Sequence, residues 1–137
     1  MILPSMWEEV SEDSVTRAFV SPQSNQMCTV KVTNDYSIGI MGLDGYISTL
    51  TAEKLRSLLR IELRDPDVHA LSEYHFAGRK AVHFIYSGFL PEGKLATAGF
   101  QTIRGPYLYT LNWACPVQIF AQHYKQFTDI AASFRIQ

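Results

Sequence analysis

Residues 69–113 read HALSEYHFAGRKAVHFIYSGFLPEGKLATAGFQTIRGPYLYTLNW, and the architecture of the chain follows from this run. It contains four segments rich in strand-forming residues, at about 69–76, 81–89, 95–103 and 107–113, and every gap between them holds a glycine. Short glycine-containing links between such segments are typical of hairpins. The run therefore predicts four consecutive antiparallel strands.

Two shorter segments ahead of this run also predict strands. Residues 16–20 form a short apolar segment that ends at Ser21-Pro22. Residues 27–33 alternate apolar with polar side chains, which is typical of a strand with one buried and one solvated face. Together with the four later strands and a stub near the N-terminus, they predict a sheet of six to seven strands.

The hydrophobic period changes between Leu43 and Leu63, where apolar residues recur every three or four positions. That spacing predicts an amphipathic helix. Asp44 and Thr51 are both suitable N-caps, and the start of the helix is left open between them. Asp65-Pro66 is expected to end the helix, because a residue that precedes proline avoids the helical region.

A second helix is predicted at the C-terminus. Pro116 suits a first helical turn. Beyond it, one apolar stripe recurs in steps of three or four residues, formed by Val117, Phe120, Tyr124, Phe127, Ala131 and Phe134. Burial of the large members of this stripe is comparable with the net stability of a whole domain, so the helix is expected to pack on the sheet.

These elements predict an α+β fold in which two main helices pack on one face of an antiparallel sheet. The chain has 137 residues, of which 47% are hydrophobic, and it shows no repeat and no linker-like segment. This length suits one core, so residues 1–137 are expected to form a single domain.

The register of the first hairpin decides which side chains share a face of the sheet. A three-residue loop at 78–80 puts Tyr74 with Val82 and leaves His75 beside His83. A two-residue turn would instead put His75 with Val82. We prefer the longer loop because it separates apolar from polar side chains, which predicts a partly polar face without helices.

The chain lacks the motifs of common catalytic and phosphate-binding sites, such as GxSxG, the P-loop, GxGxxG, HExxH and CxxC. Its 12 basic and 13 acidic residues do not give the basic footprint of a nucleic-acid-binding protein. Cys28 and Cys115 are too few for a disulfide framework. Cys115 is interpreted as a small apolar residue rather than a reactive thiol. No cofactor is expected.

Two histidines provide an alternative hypothesis. In the preferred register His75 and His83 lie opposite each other with Glu73 nearby, and two imidazoles with a carboxylate form a ligand set that zinc accepts. This would make the protein a small metal-dependent or hydrolytic enzyme. The preferred interpretation is that all three are polar positions on a solvated face and that no metal binds.

The order of the motifs resembles that of the PsbP/DcrB-like superfamily. The resemblance rests on Leu3-Pro4-x-x-Trp7, residues 18–22 (AFVSP), residues 78–81 (GRKA), residues 107–111 (YLYTL) and residues 130–134 (IAASF). The superfamily includes photosystem II extrinsic subunits, envelope lipoproteins, a Ran-binding import factor and Eag-type secretion chaperones. The resemblance implies an antiparallel sheet with packed helices that binds other proteins, and it implies no catalytic residues.

The expected function is therefore a non-catalytic protein-binding module, such as an adaptor or a chaperone for a secreted or envelope-associated bacterial protein. The chain as printed predicts neither a signal peptide nor a transmembrane segment. That favours the cytoplasm, or the cell envelope if a leader has been removed. A protein or peptide partner is expected to lie on the polar face, against Lys31, His75, His83, Ile85, Gln101, Ile103 and Thr110.

Overall fold

The computed structural model describes residues 7–9, 16–21, 25–34, 42, 44–46, 48–76 and 79–134. Within these residues the strands are β1 (Glu8–Glu9), β2 (Thr16–Ser21), β3 (Gln26–Asn34), β4 (Arg64–Phe76), β5 (Arg79–Leu90), β6 (Gly93–Arg104) and β7 (Tyr107–Pro116). The two main helices are α1 (Ala52–Leu59) and α2 (Phe120–Ala132), with a 3₁₀ turn at Val117–Ile119. Residues 44–46 and 48–49 ahead of α1 are also helical. The seven strands form one antiparallel sheet in the order β1-β2-β3-β7-β6-β5-β4. The predicted fold class is confirmed.

Helix α1 starts at one of the two N-caps that the sequence left open, but it ends earlier than predicted. Thr51 is the N-cap, and its hydroxyl oxygen accepts the backbone N–H of Lys54 at 3.1 Å. The helix ends at Leu59, so Asp65-Pro66 does not end it as predicted. These two residues lie inside β4 instead, where Asp65 has a φ of 48°.

Strand β7 runs as far as Pro116, so the predicted first turn of the final helix is displaced. Pro116 precedes the 3₁₀ turn, and the α-helical geometry of α2 starts only at Phe120. Val117, which the stripe predicts to be buried, is 37% exposed. The later part of the stripe behaves as predicted, since Phe127 is fully buried.

Helix α2 packs on one side of the sheet, here called the helix face. The centre of the helix face is formed by Phe100 of β6 and by Leu111 and Trp113 of β7. The ring of Phe127 stacks on Trp113 with centroids 5.4 Å apart and an angle of 9° between the planes. The helix face therefore carries the main aromatic core.

The other side, here called the opposite face, is covered by the segment that contains α1. Ahead of α1, the Tyr46 hydroxyl donates to Oε1 of Gln101 at 2.7 Å. After α1, Leu63 packs on Gly88, where an added Cβ would lie 2.8 Å from the Cβ of Leu63. The expectation that both helices lie on one face is wrong, because α1 and α2 belong to segments on opposite sides of the sheet.

Both faces of the sheet are buried near its centre. On the opposite face Val82 and Phe84 are 2% and 5% exposed, and Ile103 is 8% exposed. A face with these residues is part of the core rather than an open polar surface. The expectation that the partly polar face is left uncovered is therefore wrong.

The register of the first hairpin differs from the preferred one. Phe76 pairs with Arg79 and Tyr74 with Ala81, while His75 pairs with Lys80. Tyr74 therefore lies on the helix face with His83, and His75 lies on the opposite face. A shift of one residue exchanges the two faces of a strand, which explains the error.

Truncation of Phe127 tests the helix-face core. We expect Phe127→Ala to lower the free energy of unfolding by about 3 to 5 kcal/mol, because it removes a fully buried aromatic ring that stacks on Trp113. Denaturant unfolding measures this change. Val117→Ala serves as the control with a small effect, and an unchanged thermal midpoint for Phe127→Ala would contradict the assignment.

Gly99 tests the packing of the opposite face. An added Cβ would overlap the ring of Phe84 and the side-chain oxygen of Asn112. We expect Gly99→Ala to cost about 1 to 3 kcal/mol, because the site has no free volume. Phe84→Leu in the same background should recover part of the loss in chemical unfolding. A double variant that loses the full sum of both single costs would refute this contact.

Candidate functional site

The structure does not bring the seven predicted partner-binding residues together. His83 and Ile85 lie on the helix face, where they pair with Phe100 and Ala98 of β6. The other five share the opposite face, and they are Lys31, His75, Gln101, Ile103 and Thr110. The seven residues therefore cannot form one docking surface, although a role in binding for any one of them stays a prediction.

Two polar residues of the opposite face, Gln101 and Thr110, bind each other. Lys31, Thr110 and Gln101 lie side by side on β3, β7 and β6. The Gln101 amide donates to the hydroxyl oxygen of Thr110 at 3.2 Å, and its carbonyl oxygen accepts from Tyr46. Burial raises the pKa of Tyr46. These bonds hold the segment ahead of α1 on the sheet.

His83 is buried on the helix face and is bonded at both ring nitrogens. Nδ1 lies 2.7 Å from the carbonyl oxygen of Gly99, and Nε2 lies 2.8 Å from the hydroxyl of Tyr124. In the neutral ring, Nδ1–H donates to Gly99 and Nε2 accepts from Tyr124. Desolvation by burial lowers the pKa of His83, so the neutral form is favoured. The imidazole thus joins α2 to the sheet.

The alternative zinc ligand set does not assemble. Glu73 and His75 lie on the opposite face, whereas His83 lies on the helix face with its two nitrogens already bonded. Among the described residues, no three metal-ligating side chains come together. The hypothesis of an enzyme built on these three residues therefore has no site.

The two cysteines are buried core residues. Cys28 and Cys115 are 0% and 1% exposed, and neither forms a disulfide. Burial raises the pKa of Cys28 to about 12 and that of Cys115 to about 11. Both thiols are therefore protonated at neutral pH, where the thiolate is the reactive form. The interpretation of Cys115 as a small apolar residue is confirmed.

Strand β4 forms one edge of the described sheet, and its first half is irregular. Its pairing with β5 shifts between Arg64 and Asp67 and again between Val68 and Ala70. Asp65 adopts a positive φ, and Pro66 lacks the N–H that strand pairing needs. Such irregularities prevent the addition of a further strand.

The second half of β4, residues 70–76, is regular, and we call it the β4 edge. Each residue pairs in turn with β5, from Ala70 opposite Ile85 to Phe76 opposite Arg79. Residues 72–75 are all exposed, and Tyr74 is 56% exposed. Only β5 pairs with β4 in the described part of the chain. An edge strand of this kind directs alternate backbone N–H and C=O groups outward.

Charged side chains accompany the β4 edge on the opposite face. The Lys80 ammonium lies 2.9 Å from Glu73 and 2.8 Å from Asp44. These carboxylates raise the pKa of Lys80. All three side chains are largely exposed, so the ion pairs add little to stability, but they fix the charge pattern beside the edge.

The sequence offered no signal for the position of the β4 edge. Glycine-containing links predict that β4 to β7 follow one another, but either end of such a meander can lie at an edge. Because β3 pairs with β7, β4 becomes terminal. Which end of the meander lies at the edge therefore depends on tertiary packing and not on any residue of β4.

Comparisons with known proteins identify the fold. No family model matches the chain, and no curated protein matches it by sequence. A protein of unknown function from Pseudomonas aeruginosa superposes with a TM-score of 0.72 at 14% identity, covering 93% of this chain and 87% of the other. Cyanobacterial PsbP from Synechocystis sp. PCC 6803 gives the same TM-score and identity, covering 98% of this chain and 84% of the other.

LpqN of Mycobacterium tuberculosis, which is involved in cell envelope biogenesis, superposes with a TM-score of 0.61 at 13% identity. The superposition covers 95% of this chain and 78% of LpqN. These likenesses place the chain in the class of single-sheet α+β proteins with the PsbP-like fold. The resemblance inferred from the sequence motifs is thereby confirmed for the fold. No helix in the described ranges is long and apolar enough to span a bilayer.

The burial of His83 predicts that the free energy of unfolding depends on pH. The pKa of His83 is lower in the folded chain than in the unfolded chain, where the pKa of histidine is about 6.5. The unfolded state therefore binds a proton first as the pH falls, and the contribution of His83 to stability, complete above about pH 6.5, is lost below it.

We expect the free energy of unfolding of the unaltered chain to fall between pH 7.5 and pH 5, more steeply than that of His83→Gln. Glutamine retains hydrogen-bonding capacity but does not titrate. Urea unfolding at a series of pH values measures both slopes. Equal slopes for the two proteins would show that burial does not penalise the charged imidazole.

Proposed function

We propose that this chain is a non-catalytic protein-binding module that takes up an extended segment of a partner protein along the β4 edge. The observation that carries the proposal is the regular, exposed strand at residues 70–76, which no described strand covers. An extended peptide binds such an edge by continuing the sheet, with affinity from main-chain hydrogen bonds and specificity from alternate side chains.

The side chains of the β4 edge define the partner that fits. Tyr74 offers an exposed ring on the helix face, and rings near it belong to Phe100 and His83. An apolar or aromatic residue of the partner strand beside Tyr74 would bury this ring. On the opposite face Glu73 and His75 select polar or charged neighbours. The bound segment should therefore alternate apolar with polar residues.

The chemistry of His83 and the two cysteines supports a binding function over a catalytic one. His83 is bonded to Gly99 and Tyr124, and both thiols are protonated at neutral pH. Histidine and cysteine often act as bases or nucleophiles, but these three side chains have structural roles.

The class of partner is an extended segment of a secreted or envelope-associated protein, for which the chain acts as adaptor or chaperone. LpqN, which shares the fold, takes part in envelope biogenesis, and this supports the proposal. An open strand edge is suited to a client that presents extended segments.

The experiment uses peptides selected from a random display library on the immobilised chain. We expect Tyr74→Glu to weaken their binding by about tenfold or more, since a charge replaces the ring that the partner strand would cover. Tyr107→Glu, at another exposed tyrosine, is the matched control and should bind as the unaltered chain does. Hydrogen exchange should slow at residues 70–76 when a peptide binds. Protection confined to other residues would refute the proposal.

A further inference from the structure

The β4 edge is complementary to itself. We propose that, in the absence of a partner, a second copy of this chain pairs antiparallel with the β4 edge about a two-fold axis at Tyr74. This inference rests on the proposed function, because it concerns the same edge. It adds to that function a second copy as the occupant of the edge, a register for the pairing of the two strands, and a way to regulate partner binding.

Symmetry limits the registers that are available. Two identical edge strands pair antiparallel about a two-fold axis perpendicular to the sheet, and each face then continues from one copy to the other. Residues that face each other must therefore come from the same face. As a result one residue, the centre, faces its own counterpart, and its two neighbours face each other across the axis.

A centre at Tyr74 gives favourable pairs throughout. Glu73 of each copy faces His75 of the other, so the carboxylate–imidazole pair forms twice. A histidine ring N–H donates to a carboxylate whether or not the ring is charged. Tyr74 faces Tyr74, and the two rings, each 56% exposed in the single chain, cover one another. Ser72 faces Phe76 at both ends.

Other centres of the two-fold pairing give less favourable side-chain pairs. A centre at Glu73 would pair all seven residues of the β4 edge, but it would set two carboxylates directly opposite each other, which is destabilising. A centre at Ser72 would set Leu71 opposite Glu73 and would set His75 opposite residue 69, which lies outside the regular segment. The irregular pairing before residue 70 excludes centres nearer to the start of β4. Tyr74 is therefore the register that the side chains favour.

Self-pairing would regulate partner binding. The two copies would form one continuous sheet and bury the outward backbone groups of residues 72–76. A partner segment would then have to displace the second copy, so its apparent affinity would fall as the protein concentration rises. The dimer would also protect an aggregation-prone edge until a partner arrives.

Sedimentation velocity on the full chain, from micromolar to sub-millimolar concentration, tests the proposal. We expect a reversible monomer–dimer equilibrium in the unaltered chain. His75→Glu should raise the dissociation constant by about tenfold or more, because it sets two carboxylates opposite each other at both ends of the axis. Lys80 lies opposite position 75 in the same chain, so a glutamate there is compatible with folding.

The matched control exchanges the two residues. In the double variant Glu73→His with His75→Glu, each histidine again faces a glutamate of the other copy, so dimerisation should return. A double variant as monomeric as His75→Glu would refute the Tyr74 register. An unaltered chain that stays monomeric throughout would refute self-pairing itself.

The peptides selected for the proposed function separate the two ideas. In the unaltered chain, the binding of those peptides should weaken as the protein concentration rises through the dissociation constant of the dimer. Such a loss of affinity supports regulation by self-pairing. If the peptides bind with the same affinity at all concentrations, the edge binds partners but is not regulated in this way.

Discussion

The stacking of Trp113 on Phe127 is the interaction on which the rest of the structure depends. Trp113 lies on β7, between Cys28 of β3 and Ala98 of β6. These two small neighbours leave room for the indole. Its ring N–H donates to the side-chain oxygen of Gln26 at 3.0 Å, so the polar atom of the buried ring is satisfied. One side chain thereby ties three strands to α2.

The elements of the fold are readable in the sequence, but the faces of the sheet are not. Glycine positions and apolar periods locate the strands and helices because they act within a few residues. Register requires a contrast between a buried and a solvated face. In β5, Ala81, Val82, His83 and Phe84 are all buried, so the strand has no such contrast. Sorting side chains by polarity therefore selected the wrong one of two hairpin registers.

The same limitation explains why the predicted partner-binding residues do not form one site. A polar residue in a strand sequence has the same appearance whether it faces a partner or another part of its own chain. Gln101 and Thr110 look like ligands for a partner, yet they bond to each other and to Tyr46. Tyr46 is 55 residues away from Gln101 in sequence, so no local pattern reports the contact. The position of the β4 edge cannot be read from the sequence for a related reason, since strand order is set by tertiary packing.

The two halves of β4 differ in how they exclude a further strand. The first half is closed to pairing by its irregular register and by Pro66. The second half is regular, and its side chains limit which strands can pair with it. Glu73 disfavours a strand that sets a carboxylate opposite it, while the exposed ring of Tyr74 favours a strand that covers it. In the proposed binding mode, the selectivity comes from Glu73, Tyr74 and His75, because backbone pairing alone would accept any extended chain.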